Sequence, residues 1–206
     1  MDLRFLIAAL AALSAAHAVA DEATRQRAEE VVRQSFPGAT AEEWAQRMQQ
    51  DESQALCSLY RNRPPPEAAD KLVVREHKAI RYPANGKLMG DWRAGAKLAS
   101  IGTGGQIGRI QPDPPDRPKG GNCYACHLMA PEEVAAGTIG PSLAAYGRVR
   151  GISPETVKYT YEKIYNAQAF LACSLMPRFG QTGWLTPEQV ADLAAYLLDP
   201  ASPVNK

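Results

Sequence analysis

The 206-residue chain is poor in the residues from which catalytic centres are usually assembled, with 3 histidines, 4 cysteines and 5 methionines. So few histidines leave little from which to build a Ser/His/Asp set, and they leave a closed zinc site short of ligands. An excess of charge of one sign is also missing: 23 Lys and Arg stand against 22 Asp and Glu, for a formal net charge of +1. That balance excludes the basic footprint of a nucleic-acid-binding protein and leaves only local charged patches for docking. No long apolar run follows the N-terminal segment, and no internal repeat is present. Strand-like alternation is weak throughout, which points to an all-α fold. Gly102 to Gly108 is rich in glycine but lacks the Lys-Ser/Thr ending of a phosphate-binding loop.

What the N-terminus does have is a leader pattern. Arg4 gives a charged start, Phe5 to Ala16 is apolar but too short to span a bilayer comfortably, and Ala18-Val19-Ala20 is a small-x-small cleavage site. A signal peptide over residues 1–20 is expected, cleaved after Ala20, with Asp21 as the mature start and no membrane anchor afterwards. His17 leaves with it, so the mature chain keeps only His77 and His127.

Helical periodicity organises the rest. Residues 21–66 read as a helical extension: one helix from about Glu22 to Gln34, stopped by Pro37-Gly38, and a second opened by a Thr40–Glu43 capping box. Trp44, Met48, Leu56 and Leu59 mark the expected buried face of the second, and Pro64-Pro65-Pro66 ends it. Residues 67–206 read as the main domain, with helices over Pro66 to Ile80, from Gly90-Asp91-Trp92 to Ser100, after Ser153-Pro154, and after the Thr186-Pro187-Glu188-Gln189 capping box. Residues 101–121 hold too much glycine and proline for a regular element.

The run Cys123-Tyr124-Ala125-Cys126-His127 carries the chemistry. C-x-x-C-H is the attachment signature of a c-type haem: two thiols three residues apart add to the porphyrin vinyl groups, and the following histidine becomes the proximal iron ligand. A zinc half-site would need two more ligands, and a thioredoxin-like pair should follow a strand, not a Gly/Pro-rich loop. Covalent haem attachment in bacteria takes place outside the cytoplasm, in agreement with an exported, periplasmic protein. For the sixth iron position the candidates are Met48, Met89, Met129, Met176 and His77. Met129 is too near His127 to reach the other face, Met48 suits a helix core, and Met89 lies on the near side of the motif. Met176, in a loop stiffened by Pro177 and turned by Gly180, is favoured, with His77 as the rival. Gly140-Pro141 offers a carbonyl for the Nδ1–H of the proximal histidine. The remaining cysteines, Cys57 and Cys173, are an even remainder in an oxidising compartment and suggest a disulfide; two buried thiols are the alternative.

Five stretches in order carry a resemblance: G-D-W-R-A-G-A-K-L-A-S (Gly90 to Ser100), G-G-N-C-Y-A-C-H (Gly120 to His127), T-I-G-P-S-L (Thr138 to Leu143), M-P-R-F-G (Met176 to Gly180) and L-T-P-E-Q-V-A-D-L-A-A-Y-L (Leu185 to Leu197). Together they resemble the SoxX family, the monohaem subunits of SoxAX cytochromes, over about residues 67–199. The haem motif and final helix are shared by many class I cytochromes c, while the second and fourth stretches are more particular to SoxX. The resemblance implies a class I cytochrome c fold with a helical N-terminal extension. It implies one haem c on Cys123 and Cys126, with His127 and Met176 as axial ligands. It implies a heterodimer with a SoxA-like cytochrome, in a complex with L-cysteine S-thiosulfotransferase activity that oxidatively links thiosulfate to a cysteine of the SoxYZ carrier. This chain would then relay electrons from SoxA to a soluble cytochrome c and catalyse nothing itself. An independent periplasmic electron carrier is the alternative, and a catalytic or sensing haem would need a vacant sixth position. Residues 21–66 depart from the shortest SoxX pattern; the expectation is that they pack on the haem domain, tied by Cys57–Cys173. Lys119, Arg148 and Arg178 are candidates for a docking patch.

Overall fold

A computed structural model describes residues 22–103 and 116–206. The expected signal peptide and most of the glycine- and proline-rich loop lie outside the described residues. The described residues divide into two compact units, one of residues 22–49, the other of residues 50–103 and 116–206.

In the first unit, α1 spans residues 22–35 and α2 spans Ala41–Arg47. The Thr40–Glu43 capping box forms as expected, and the Arg33 guanidinium lies 4.3 Å from the centre of the Trp44 ring. The expected second helix is not continuous. α2 ends at Arg47, and a separate α3, Glu52–Leu59, begins after Asp51. The reason is local: the Asp51 carboxylate accepts the Gln54 N–H while the Gln54 side chain accepts the Asp51 N–H, a second capping box within four residues. The expected buried face is broken with it: Trp44, Met48 and Leu56 are half-buried on two separate helices, and Leu59 is 74% exposed.

The second unit holds α3 and α4 (Pro66–Lys78), α5 (Trp92–Ser100), a single-turn 3₁₀ helix at Cys123–Ala125, α6 (Tyr146–Arg150), α7 (Pro154–Tyr165), a second 3₁₀ turn at Ala167–Ala169, α8 (Pro187–Leu198) and a last one at Pro203–Asn205. The described residues contain no strand, and the fold is all-α. Proline at the first turn starts α4, α7 and α8, where its missing N–H costs nothing. The core centres on α8, whose Val190, Leu193, Ala194, Tyr196 and Leu197 pack with Tyr161, Ile164 and Tyr165 of α7. α5 crosses α8 backbone to backbone. A Cβ on Gly95 would stand 2.0 Å from the Asp192 carbonyl oxygen and 2.8 Å from the Tyr196 Cβ. At the chain end the Asn205 side chain accepts the Gly147 and Arg148 N–H groups and donates to the Leu197 and Asp199 carbonyls, locking α6 onto α8.

α3 and α4 brace the other side. Cys57 of α3 and Cys173 form a disulfide with Cα atoms 5.5 Å apart, beside the buried Leu72 of α4. Next to it Arg178, only 7% exposed, pairs with the Asp51 carboxylate and, at 3.3 Å, with Glu76. Ser53 donates to Glu76, and Asn166 at the end of α7 does so at 2.7 Å. Arg75 donates to Ser53, pairs with Glu52 and lies 3.7 Å from the Glu76 carboxylate.

Gly95→Ala pushes α5 off α8 and lowers unfolding free energy by at least about 2 kcal/mol in a denaturant melt. For Glu76, burial raises the carboxyl pKa, but hydrogen bonds from Ser53 and Asn166 and the Arg178 charge outweigh it and hold the group below its ordinary value. Asp51 shows the same net direction: burial opposes it, while the Gln54 N–H and Arg178 hold it low. Folded values below the unfolded ones stabilise the protein above the ordinary carboxylate range, and that stability is lost as pH falls through the folded values. Unfolding free energy therefore declines with acidification below about pH 5, and the Glu76→Gln variant declines less steeply.

Candidate functional site

Asn122, in the left-handed region at φ 45°, turns the chain into the Cys123–Ala125 helix. The Cys123 carbonyl then accepts both the Cys126 N–H (3.1 Å) and the His127 N–H (2.9 Å), winding the motif into one tight turn. Cys123 and Cys126 are half-buried and not bridged to each other. Burial, with a smaller contribution from Cys126, pushes the Cys123 thiol up to about 11. It is neutral at pH 7, unlike the low-pKa thiolates of reactive redox pairs. No group of three or more His, Cys, Asp or Glu residues that could hold a metal ion occurs among the described residues.

A second segment is laid along the motif and fixes its histidine. The N–H groups of Gly137, Gly140 and Leu143 donate to the carbonyls of Tyr124, Cys126 and Leu128 at 3.0, 2.8 and 2.8 Å. The approach requires glycine twice. A Cβ on Gly137 would meet the Ala125 carbonyl oxygen at 2.0 Å, and one on Gly140 would stand 2.2 Å from His127 Cε1. With the ring held in this way, His127 Nδ1 lies 2.7 Å from the Pro141 carbonyl oxygen. A carbonyl only accepts, so the proton is on Nδ1, and Nε2 keeps its lone pair for a metal.

Cys123 and His127 line an apolar cavity together with Met176 and Phe179 of the loop after Cys173, Ile164 of α7 and Leu193 of α8. Met176 and Phe179 are also part of the wall of a larger, open cleft that includes Gly121, Asn122 and Trp184. The donor set fits a haem c: two thiols at the attachment spacing, an imidazole nitrogen free to bind iron, a thioether and apolar walls.

The other sixth-position candidates fall elsewhere, with one exception. Met129, 1% exposed, also lines the cavity, and its backbone N–H is taken by Glu133. His77 is outside the cavity lining; it faces the Glu162 carboxylate at 3.6 Å and meets the Phe170 ring edge-on at 6.0 Å between centroids. Met89 is half-buried ahead of α5, and Met48 closes α2 in the first unit. The expected patch of Lys119, Arg148 and Arg178 does not form. Arg178 is buried in its ion pairs, while Lys119, 5.4 Å from the centre of the Trp184 ring, and Arg148 on α6 are exposed. Sequence reasoning missed Tyr196, whose hydroxyl lies 2.6 Å from that of Tyr124, tying the motif to α8. Its signal was present: Tyr196 follows Leu193 by three residues on the inward stripe.

Residues 119–199 match the family described as Cytochrome c. A curated relative from Aquifex aeolicus (strain VF5), named "Uncharacterized lipoprotein", is 47% identical over 148 residues, covering 68% of this chain and 66% of the relative. The match thus spans slightly less than two thirds of the relative's own length. No helix among the described residues is long and apolar enough to cross a membrane.

The Gly140→Ala variant is expected to displace the imidazole and break its bond to Pro141. Overpacking of this kind lowers stability by about 1–3 kcal/mol. A denaturant melt reads that loss, a haemochrome assay shows haem content unchanged, and the visible spectrum shows altered axial ligation.

Proposed function

We propose that this chain, whose residues 119–199 form a cytochrome c domain, is the electron-relay subunit of a SoxAX-type complex. A c-type cytochrome is an electron-transfer haem protein, and bound haem c supplies one-electron redox chemistry. In this reading Cys123 and Cys126 would hold one haem, and His127 and Met176 would be its iron ligands. The observation that carries it is the shared apolar cavity, in which a histidine with Nδ1 already protonated and a methionine thioether are both available. His/Met ligation raises the potential and leaves no position for a substrate. The chain relays electrons, and substrate chemistry belongs to a partner.

The particular partner rests on the G-G-N-C-Y-A-C-H and M-P-R-F-G stretches, which resemble SoxX. Joining thiosulfate to a carrier cysteine forms an S–S bond and releases two electrons and a proton. A haem centre takes electrons one at a time, so a SoxA-like subunit acting on SoxYZ needs an outlet, and this chain provides it toward a soluble cytochrome c. The complex is a thiosulfotransferase, to which this chain contributes conduction. Export to the periplasm accords with the lipoprotein name of the Aquifex relative. An independent exported electron carrier is the second reading, favoured by the fact that the matched family is the general cytochrome c one.

Co-expression with a SoxA-like cytochrome tests the choice. The relay reading expects a stable heterodimer, with this chain's haem reduced by thiosulfate only when both the partner and the SoxYZ carrier are present. A chain that stays monomeric, yet exchanges electrons with soluble cytochrome c, is an independent carrier.

A further inference from the structure

The Met176 loop has little hold of its own. Leu175, directly before the methionine, is 76% exposed, and Pro177, directly after it, has no N–H to donate. Around Met176 the Ser174 hydroxyl accepts its N–H at 3.3 Å. The loop is instead fixed from outside at both ends. Three residues before Met176, Cys173 is joined covalently to Cys57 of α3. Two residues after it, Arg178 turns inward and places its guanidinium between the Asp51 carboxylate at the start of α3 and the Glu76 carboxylate of α4. Glu76 is itself held by Ser53 and Asn166. The Arg178 carbonyl accepts both the backbone N–H and the hydroxyl of Thr182, each at 3.0 Å.

We infer that Arg178 and Glu76 are positioning residues for Met176, clamping the loop so that its thioether stays in the haem cavity. The inference rests on reading Met176 as the axial ligand. The physics is that of a buried ion pair. Swinging Met176 out of the cavity carries Arg178 with it through a single rigid proline. That motion takes the nearer and more deeply buried of two cations away from the Glu76 carboxylate, 4% exposed, and leaves it only the half-buried Arg75 at 3.7 Å. Separating a buried pair is far more costly than separating a surface one. The pair adds little to fold stability beyond what apolar residues could give; its effect is to make one loop conformation the cheap one.

The test uses the full-length haem-loaded protein with its disulfide intact, in wild type, Met176→Ala, Glu76→Gln, Arg178→Gln and Arg178→Lys. The readouts are the ferric methionine–iron charge-transfer absorption, imidazole affinity and hydrogen exchange across residues 174–177. Imidazole competes with the thioether, so its apparent affinity reports how often the loop is open. Glu76→Gln and Arg178→Gln are expected to bind imidazole at least ~10-fold more tightly, with faster exchange in the loop and unchanged haem content. Arg178→Lys should recover part of the difference. Folded Glu76→Gln protein with wild-type imidazole affinity and loop exchange overturns the inference. Glu76→Gln decides the matter if Arg178→Gln does not fold, because it keeps the side-chain volume. If Met176→Ala keeps the wild-type spectrum, the ligand assignment itself fails and the clamp falls with it. If Met176→Ala loses the absorption while Glu76→Gln matches wild type, only the clamp fails.

Discussion

The hydrogen bond between His127 Nδ1 and the Pro141 carbonyl constrains everything around it. It settles which ring nitrogen carries the proton, and so which one can face a metal. To make it, residues 137–143 must lie against the motif, which requires two glycines where side chains would collide with the Ala125 carbonyl and the imidazole. Proline is suited to the accepting position, since it offers a carbonyl without an N–H needing a partner of its own. The motif turn, the segment beside it and the histidine therefore form one unit, and α8 closes over it through the Tyr124–Tyr196 hydroxyl pair.

The opposite wall is built differently. Around the motif, backbone hydrogen bonds and close glycine contacts set the geometry. Around Met176, a covalent bridge and a buried charge cluster do so, and both reach back to α3 and α4. A small domain has little core to spare, and long-range ties add to what that core supplies. The portion of the expected extension from Gln50 onward thus belongs to the compact unit that contains the haem motif.

Local signals in the sequence were dependable where the determinant was itself local. Ser153-Pro154 and Thr186-Pro187 started their helices as read, because capping needs only neighbouring residues. The break at Asp51 was missed although its capping box is equally local, because the apolar spacing from Trp44 to Leu59 suggested one continuous helix. Of the site, Cys123, His127, Met176 and Pro141 were legible from motif and loop chemistry, and the structure brings the first three to one cavity. Arg178 was read as a surface charge, because nothing in its own neighbourhood announces partners 102 and 127 residues away. The Gly137 and Gly140 approaches were hidden for the same reason: a glycine looks alike in a turn and against a ring.

The Cys57–Cys173 bridge spans 116 residues, and the whole haem motif lies inside the ring it closes. Four cysteines allow three pairings, and the one between Cys123 and Cys126 closes by far the shortest loop. In an oxidising setting, bare chain chemistry would favour that short pairing. In the proposed reading, thioether formation would remove both competitors and leave a single bridge to make. Haem attachment would then act as a protecting group, and the order of two covalent events would decide whether the remaining thiols find each other.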